Sequence, residues 1–339
     1  MDTLDPRKQS ILRAVVIEYV LAAEPVPSEL IASKYELGVR SATVRNEMVE
    51  ITDLGFLEKP HTSAGRIPSD GGYRYFVDHM SGKGNLKPDE RSKITSVVGE
   101  QETTRELVRE TTKALSRATN LLTAALTVRD GSIPIRNAII TVLGPNKALL
   151  VLILQNGHSE NRVIECPEGL TIEQVGQANE ILEKTFGNQS LISAAKSKLA
   201  QSGNPIIDSL VGEATKLIRA IAKELTSGHL VIEGEEYLFS QPEFRRDPEL
   251  FDSLLMSLGN EGDLKETLDE EDKAISIGSE NLRPEHWPLS ILRQSFFVGD
   301  QQGGVLAIIG PKRMDYSRNV AMLDFTADAI TKTLTRLFG

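Results

Sequence analysis

Four neighbouring side chains between residues 42 and 46 could read the edges of DNA bases. Arg45 can form paired hydrogen bonds with guanine, and Asn46 can do the same with adenine. The small side chains of Ala42 and Thr43 can contact the methyl group of thymine. Because they stand in the first turns of a predicted helix, where recognition helices usually meet bases, these residue types favour DNA recognition.

The helix that would present these side chains also carries an apolar stripe formed by Val44, Met48 and Ile51. A helix turns by about 100° per residue, so this stripe faces away from the base-reading candidates and predicts a buried side. Ser41 is expected to cap the helix. Ser41 or Thr43 could instead bind a phosphate at the helix N-terminus.

A second group of polar and basic side chains follows in a loop between two short predicted strands, 56–58 and 66–68. Small residues and a glycine allow such a loop to approach the DNA backbone closely, and an arginine suits a phosphate or a narrow minor groove. Arg74, in the next predicted helix, could add a backbone contact. The loop candidates are Lys59, His61, Thr62, Ser63 and Arg66.

Three predicted helices precede this strand–loop–strand segment, and together they have the layout of a winged helix-turn-helix. The helices cover residues 6–20, 28–35 and 42–54, with breaks at Pro25, Pro27 and Gly38. Spacing alone leaves a second interpretation open. An ordinary small domain could have the same elements, with Arg45 and Asn46 merely solvated.

Composition limits the kind of nucleic-acid binder. The formal net charge is −10, and the first 80 residues contribute −3 of it, from 9 basic and 12 acidic side chains. This balance argues against a protein that coats nucleic acid indiscriminately, but it permits a sequence-specific binder with few, local contacts. A single cysteine, no signal peptide and no apolar run long enough to span a bilayer favour a cytoplasmic protein without membrane contact.

No enzyme or cofactor site can be assembled from the sequence. Cys166 ends a predicted strand and is expected to be a buried structural thiol. The five histidines lack metal-ligand spacing, and the acidic run 269–272 is expected to be solvated. We find no phosphate-binding loop, dinucleotide fingerprint or nucleophile elbow, so we expect no metal and no cofactor.

Beyond a polar linker at 82–88, the chain alternates between helical and strand patterns. Residues 89–128 are predicted to form one or two helices. Residues 171–225 are predicted to form a largely helical middle, which is followed by a second hairpin at 229–239. Strand patterns on either side of this middle suggest one antiparallel sheet domain, completed by a helix at 316–338, into which the middle is inserted. The strands are predicted at 138–143, 148–154, 162–166, 274–277, 294–298 and 304–309.

Several motifs resemble the heat-inducible transcription repressor HrcA family. The similarity is dense between about residues 42 and 77 and weaker elsewhere, although length and element order agree along the chain. The motifs are VRSATVRNEM at 39–48, GFL at 55–57, PHTSAGRIPSD at 60–70 and GYR at 72–74.

The resemblance implies an α+β protein of three domains. A winged helix-turn-helix would occupy residues 1–81, and a GAF-like antiparallel-sheet domain would occupy 89–167 and 244–339. A dimerisation domain, 168–243, would be inserted in the GAF-like domain. Ala42, Thr43, Arg45 and Asn46 would then lie in the recognition helix, and residues 61–66 in the wing.

The resemblance also implies a function and partners. The protein would be a homodimer that represses heat-shock chaperone operons by binding an inverted repeat in double-stranded DNA. The GroEL chaperonin would keep it active, and heat would release it from DNA by engaging the chaperonin with unfolded proteins. A ligand-sensing regulator with a small molecule in the GAF-like domain is the alternative.

A stripe on the predicted helix 205–225 is our candidate for the dimer surface. Its apolar residues recur at helical spacing, which suits either a subunit interface or an internal core face. The residues are Leu210, Ala214, Leu217, Ile221 and Leu225.

Overall fold

The computed structural model divides the chain into two compact units. The first unit consists of Met1–Leu126 and Leu230–Gly339, and the second is Thr127–His229. No helix in the described part of the chain has both the length and the apolar character needed to cross a bilayer. The structure describes residues 4–60, 65–79, 82, 84–98, 104–127, 131, 133–155, 157, 159–198, 202–226, 228–245, 247–270 and 273–338.

The first unit begins with the helices and short strands that the sequence predicts. Asp5 caps the first helix by accepting hydrogen bonds from the backbone N–H groups of Arg7 and Lys8, and Pro6 occupies the first helical position, where no N–H partner is needed. The elements are α1 (Pro6–Ala22), α2 (Ser28–Lys34), α3 (Ser41–Asp53), β1 (Leu57–Glu58), β2 (Ile67–Pro68) and α4 (Asp70–His79).

The remaining elements follow in chain order, with two short 3₁₀ turns at Gly278–Glu280 and Pro284–His286. They are α5 (Pro88–Val98), α6 (Thr104–Thr119), β3 (Leu122–Thr127), β4 (Ile135–Gly144), β5 (Lys147–Leu154), β6 (Ser159–Glu165), α7 (Ile172–Phe186), α8 (Leu191–Ala195), α9 (Pro205–Thr226), β7 (His229–Glu233), α10 (Glu235–Ser240), α11 (Pro242–Arg245), α12 (Pro248–Gly259), α13 (Glu261–Leu268), β8 (Ile275–Ile277), β9 (Leu289–Val298), β10 (Gln301–Pro311) and α14 (Tyr316–Phe338).

A five-stranded sheet of order β7-β3-β10-β9-β8 forms the centre of the first unit. Alternate residues of the antiparallel strands β9 and β10 point to opposite faces of the sheet. Both faces are buried, each by a different core. Leu292 and Ile308 face a core that continues into α5, α6, α14 and the N-terminal helices. Ile291 and Ile309 face a second core formed with α10–α13.

The predicted assignment of strands to this sheet is wrong in two respects. The strands expected at 138–166 do not join those at 274–309. They are β4, β5 and β6, which form a separate sheet in the second unit. The strands that do join are β3, inside the segment expected to be helical up to residue 128, and β7, in the part expected to belong to the insertion. The inserted part therefore runs over 127–229 instead of 168–243.

The expected second hairpin at 229–239 is also wrong. Its first strand exists as β7, but residues 235–240 form the helix α10. Gly234, between them, has a φ of +87°, a conformation that glycine adopts without strain and that turns the chain directly from strand into helix.

The second unit packs its three-stranded sheet against α7, α8 and α9. The candidate dimer stripe on α9 lies inside this core: Leu210 and Ala214 are fully buried, and Ile221 and Leu225 nearly so. The stripe is thus an internal packing face, and its assignment as a subunit surface is wrong.

The outer edge of β4 is closed by a side chain from α7. The amide of Asn179 accepts a hydrogen bond from the Ile140 backbone N–H at 2.8 Å and donates one to the Ile140 carbonyl at 3.1 Å. It therefore substitutes for a neighbouring strand at this point of the sheet edge.

The hairpin β1–β2 is joined to the chain before α2 by a close backbone contact at Gly65. Val26 and Arg66 exchange two backbone hydrogen bonds of 2.9 Å. A Cβ atom on Gly65 would lie 2.3 Å from the Val26 carbonyl oxygen, which is far inside van der Waals contact. A glycine is required there for the hairpin to meet the helices.

We therefore expect Gly65→Ala to lower the free energy of unfolding by about 1–3 kcal/mol, because the added methyl group must push the Val26–Arg66 bridge apart. Denaturant unfolding of the two proteins would measure this. Gly82→Ala is the control, since a Cβ there meets no atom within 4 Å. Equal stability of the two variants would contradict the proposed clash.

Candidate nucleic-acid interface

The buried and exposed sides of α3 are those that the periodicity predicts. Val44 and Ile51 are completely buried among the N-terminal helices. Ala42, Arg45 and Asn46 are exposed on the other side, and within the described residues no protein group bonds the side chains of Arg45 or Asn46. The guanidinium of Arg45 and the carboxamide of Asn46 are therefore both open to a ligand.

The beginning of α3 differs in one detail from the prediction. Ser41 is the first helical residue and does not cap the helix. The cap is Arg40, whose extended backbone offers no side-chain acceptor to the helix. Thr43 is half-buried in the same turn, where its N–H bonds the Arg40 carbonyl at 2.9 Å. Within the described residues, the first turn of α3 carries no acidic side chain and no side-chain cap, so the N-terminus of α3 keeps its partial positive charge.

Glu47 fixes α3 to the first turn of α1. Its carboxylate is buried and accepts a hydrogen bond from Arg7 Nε at 2.8 Å, and Lys8 Nζ lies 3.1 Å from its second oxygen. Lys8 also pairs with Asp5 at 2.8 Å, and this hydrogen bond is the main reason why the pKa of Asp5 is lowered. Arg7 and Lys8 are therefore both paired with carboxylates of the protein itself.

Glu18 joins α1 to α2 in a similar way. Its carboxylate pairs with Lys34 Nζ at 2.8 Å and accepts a hydrogen bond from the Tyr35 hydroxyl at 2.7 Å. The hydrogen bond from Lys34, followed by that from Tyr35, lowers the pKa of Glu18. Burial, with a smaller contribution from Glu18, raises the pKa of Tyr35 to about 12.

The hairpin after α3 places one of its predicted contacts against the helix. Arg66 is half-buried, and its Nε donates a hydrogen bond of 3.0 Å to the Thr52 hydroxyl near the end of α3. Lys59 is exposed at the end of β1. The expected wing residues His61, Thr62 and Ser63 lie outside the described part of the chain.

Arg74 does not join this surface. Its Nε and one terminal nitrogen bond the carboxylate of Glu280 at 2.9 and 2.5 Å, and the same terminal nitrogen donates to the Ile275 carbonyl at 2.8 Å. The ion pair raises the pKa of Arg74. The side of α4 that carries Arg74 packs against the sheet of the first unit. The guanidinium of Arg74 therefore makes an internal contact, and the prediction that it contacts the DNA backbone is wrong.

The other reactive residue types are buried or dispersed. Cys166 is a free, buried thiol, and burial raises its pKa, which disfavours the nucleophilic thiolate. Among the described residues, no three histidine, cysteine or carboxylate side chains are grouped as a metal site would need. Within the described chain, the exposed side of α3 remains the surface with the clearest means of recognition.

Arg40 is a further candidate that the residue types alone did not single out. It is exposed and stands directly before α3, one turn from Arg45. In the sequence, Arg40 stands five residues before Arg45 and outside the predicted helix 42–54, so helical spacing alone does not assign it to the interface.

Known proteins of similar sequence can be aligned with nearly the whole chain. The family profile described as "HrcA protein C terminal domain" matches residues 105–320. A heat-inducible transcription repressor HrcA of Carboxydothermus hydrogenoformans is 33% identical over 99% of this chain and 98% of its own. One of Moorella thermoacetica is 34% identical over 99% of each chain.

A solved structure described as a hypothetical protein has the same overall fold. Its TM-score is 0.62 at 19% identity, and the match covers 99% of this chain and 100% of that one. The sequence relatives define the class of the protein, which is a transcription repressor. Within that class the chain belongs to the HrcA family.

The pairing of Glu18 predicts a pH dependence of stability. Because its pKa is lower in the folded than in the unfolded chain, Glu18 stabilises the fold above its ordinary pKa of about 4.5, and this contribution is lost as the pH falls through the lowered value. We expect Glu18→Gln to lose less stability than the parent protein between pH 6 and about pH 3. Unfolding midpoints across this range would test it, with the exposed Glu24→Gln as control. Parallel pH profiles for Glu18→Gln and the parent would contradict the assignment.

Proposed function

We propose that the protein is a homodimeric, sequence-specific DNA-binding repressor of heat-shock chaperone operons. Its N-terminal elements would act as a winged helix-turn-helix that reads an inverted-repeat operator, and the GroEL chaperonin would support its activity. The observation that carries this proposal is the pair Arg45 and Asn46, which are exposed on α3 and have no bonded partner among the residues that the structure describes.

The distribution of ion pairs supports a DNA-binding surface despite the negative charge of the N-terminal region. Arg7, Lys8 and Lys34 are neutralised by carboxylates inside the helical bundle. Arg40 and Arg45 are exposed at the beginning of α3, and no ion pair involves them within the described residues. The net charge of the region therefore understates the positive character of this one surface.

The other elements fit the same assignment. Ala42 would contact a thymine methyl group, and Ser41, Thr43 or Arg40 would bind a phosphate near the helix N-terminus. The hairpin β1–β2 would serve as the wing, with Lys59, His61, Thr62, Ser63 and Arg66 as its contacts. The five-stranded sheet with its flanking helices would be the GAF-like domain.

The direct test is binding to a duplex that carries the chaperone-operon inverted repeat, compared with a scrambled duplex at physiological salt. We expect a preference of about a thousandfold, as is typical of specific regulators. Equal, weak binding to both duplexes would contradict the proposed function.

Arg45→Ala is expected to weaken binding to the repeat by roughly 1–3 kcal/mol and to relax the preference for sequence, because the paired contact with guanine is lost. Arg45→Lys is the matched control, since it keeps the charge but cannot form the paired hydrogen bonds. A loss of equal size on all sequences, with full recovery in Arg45→Lys, would identify a phosphate contact and overturn the base-reading role.

Our candidate for the dimer surface lies on the second unit. The open side of its sheet carries Ile139 opposite Val151 and Leu149 opposite Val163, so these side chains form a continuous apolar patch. Val163 is 59% exposed and Ile139 37%, while the other side of the sheet is buried by helices. A second copy of the same chain would cover this patch symmetrically.

Val163→Asp is therefore expected to shift the protein from dimer to monomer, since burying an unpaired carboxylate at the interface is unfavourable. Sedimentation at several protein concentrations would measure the shift. Ile172→Asp is the control, because Ile172 is 90% exposed on the same unit. A dimer of unchanged affinity in Val163→Asp would exclude this face as the interface.

The proposed chaperonin dependence follows from mass action. A chaperonin that binds and supports the DNA-competent fold would be withdrawn when unfolded proteins occupy it on heating. We expect the operator-binding fraction of purified protein to rise when chaperonin is titrated in, and to stay low when the chaperonin is first saturated with an unfolded protein. An unchanged fraction across the titration would contradict this part of the proposal.

A further inference from the structure

Helix α4 rests on two turns that come from the C-terminal half of the chain. The carboxylate of Asp70 pairs with Lys312 Nζ at 2.5 Å and accepts a hydrogen bond from the Ser279 backbone N–H at 2.9 Å. Gly278, with a φ of +58°, allows this approach, because a Cβ atom there would overlap the Asp70 carboxylate. We refer to residues 275–280 and Lys312 as the α4 seat.

One turn further along α4, Arg74 makes the second contact with the seat. Its guanidinium holds both carboxylate oxygens of Glu280 and also the Ile275 carbonyl. Glu280 in turn accepts a hydrogen bond from the Ile277 backbone N–H at 2.9 Å. The ion pair is thereby fixed to the edge strand of the sheet at two points.

Tyr73 supplies an apolar contact between these two polar ones. Its ring is buried 6.0 Å from the ring of Tyr316, measured between centroids. Beside it, Arg313 donates a hydrogen bond to the Val20 carbonyl at the end of α1, at 3.3 Å. Packing of the buried Tyr73 ring against Tyr316 restricts the distance of α4 from the rest of the first unit.

The orientation of α4 is passed on to α3 through short contacts. The Ser69 hydroxyl donates to the Gly55 carbonyl directly after α3 at 2.6 Å, and it accepts from the Gly72 N–H of α4 at 3.0 Å. A Cβ atom on Gly72 would lie 2.0 Å from the Phe56 carbonyl oxygen, which shows how closely the two segments meet. A rotation of α4 therefore moves α3 with it.

We propose that Asp70 and Arg74 are positioning residues, which hold α4 on its seat and so fix the direction in which Arg45 and Asn46 face. This inference rests on the proposed DNA-binding function. In a dimer, the two copies of α3 must meet two half-sites at once, and the gain from the second contact depends on their mutual geometry. The seat would supply that geometry without touching DNA.

The charged contacts at the seat suit such a role because they are only partly buried. The side chains of Arg74 and Glu280 are 25% and 34% exposed, and ion pairs of this kind contribute little to overall stability. The buried tyrosine contact remains when one of them is removed. Substitutions at the charges are therefore expected to loosen the orientation of α4 while leaving the protein folded.

The test compares binding of the full-length protein to two duplexes, the complete inverted repeat and a single half-site. For Glu280→Gln and Asp70→Asn we expect binding to the complete repeat to weaken by roughly tenfold, because the second contact is no longer aligned, while half-site binding changes less than about twofold. The preference for the native half-site spacing over a duplex with the spacing altered should also shrink. Glu261→Gln, in an exposed ion pair on α13, is the matched control and should behave as the parent.

A charge exchange provides the second measurement. Arg74→Glu combined with Glu280→Arg restores opposite charges and should recover part of the binding to the complete repeat, whereas Arg74→Glu alone should recover none. Equal losses on the half-site and the complete repeat, or no loss on either, would overturn the inference. If the parent protein itself fails to distinguish the repeat from scrambled DNA, the proposed function fails, and this inference fails with it. That result differs from a specific parent with unaffected variants, which would reject the seat alone.

Discussion

The carboxylate of Glu47 is buried on the same side of α3 as the apolar stripe, and the arrangement of the N-terminal helices depends on its compensation. A buried charge without partners would be costly, so Arg7 and Lys8 must come to α3 from the first turn of α1. This fixes the rotation of α3 about its own axis. Its opposite side, with Arg45 and Asn46, consequently faces outward.

The same pairing separates the cations of a region with an excess of acidic residues into paired and unpaired groups. The buried carboxylates of Glu18 and Glu47 are paired inside the bundle, between α1 and α2 and between α1 and α3. The cations at the beginning of α3 have no such partners in the described chain. Local charge at a recognition surface is set by which side chains the fold neutralises, and a sum over the sequence cannot show this.

The sequence is sufficient to predict a helix and its buried side where the pattern depends only on neighbouring residues. The periodicity of Val44, Met48 and Ile51 predicted the buried side of α3, and proline and glycine breaks located the neighbouring helices. The sequence does not predict β3, because apolar and polar residues do not strictly alternate in LTAALT at 122–127. This segment becomes a strand only through pairing with distant partners in the sheet. Arg74 was misassigned for a related reason, since Glu280 is 206 residues away.

The closed edge of β4 has a consequence for a protein whose work is tied to heating. A free edge strand can recruit the edge of another molecule and start an aggregate, and the amide of Asn179 withholds the backbone of Ile140 from such pairing. This protection lasts only while α7 stays on the sheet. Partial unfolding of α7 would therefore leave the backbone of β4 free to pair with another molecule. Loss of this one helix would then promote aggregation of the repressor.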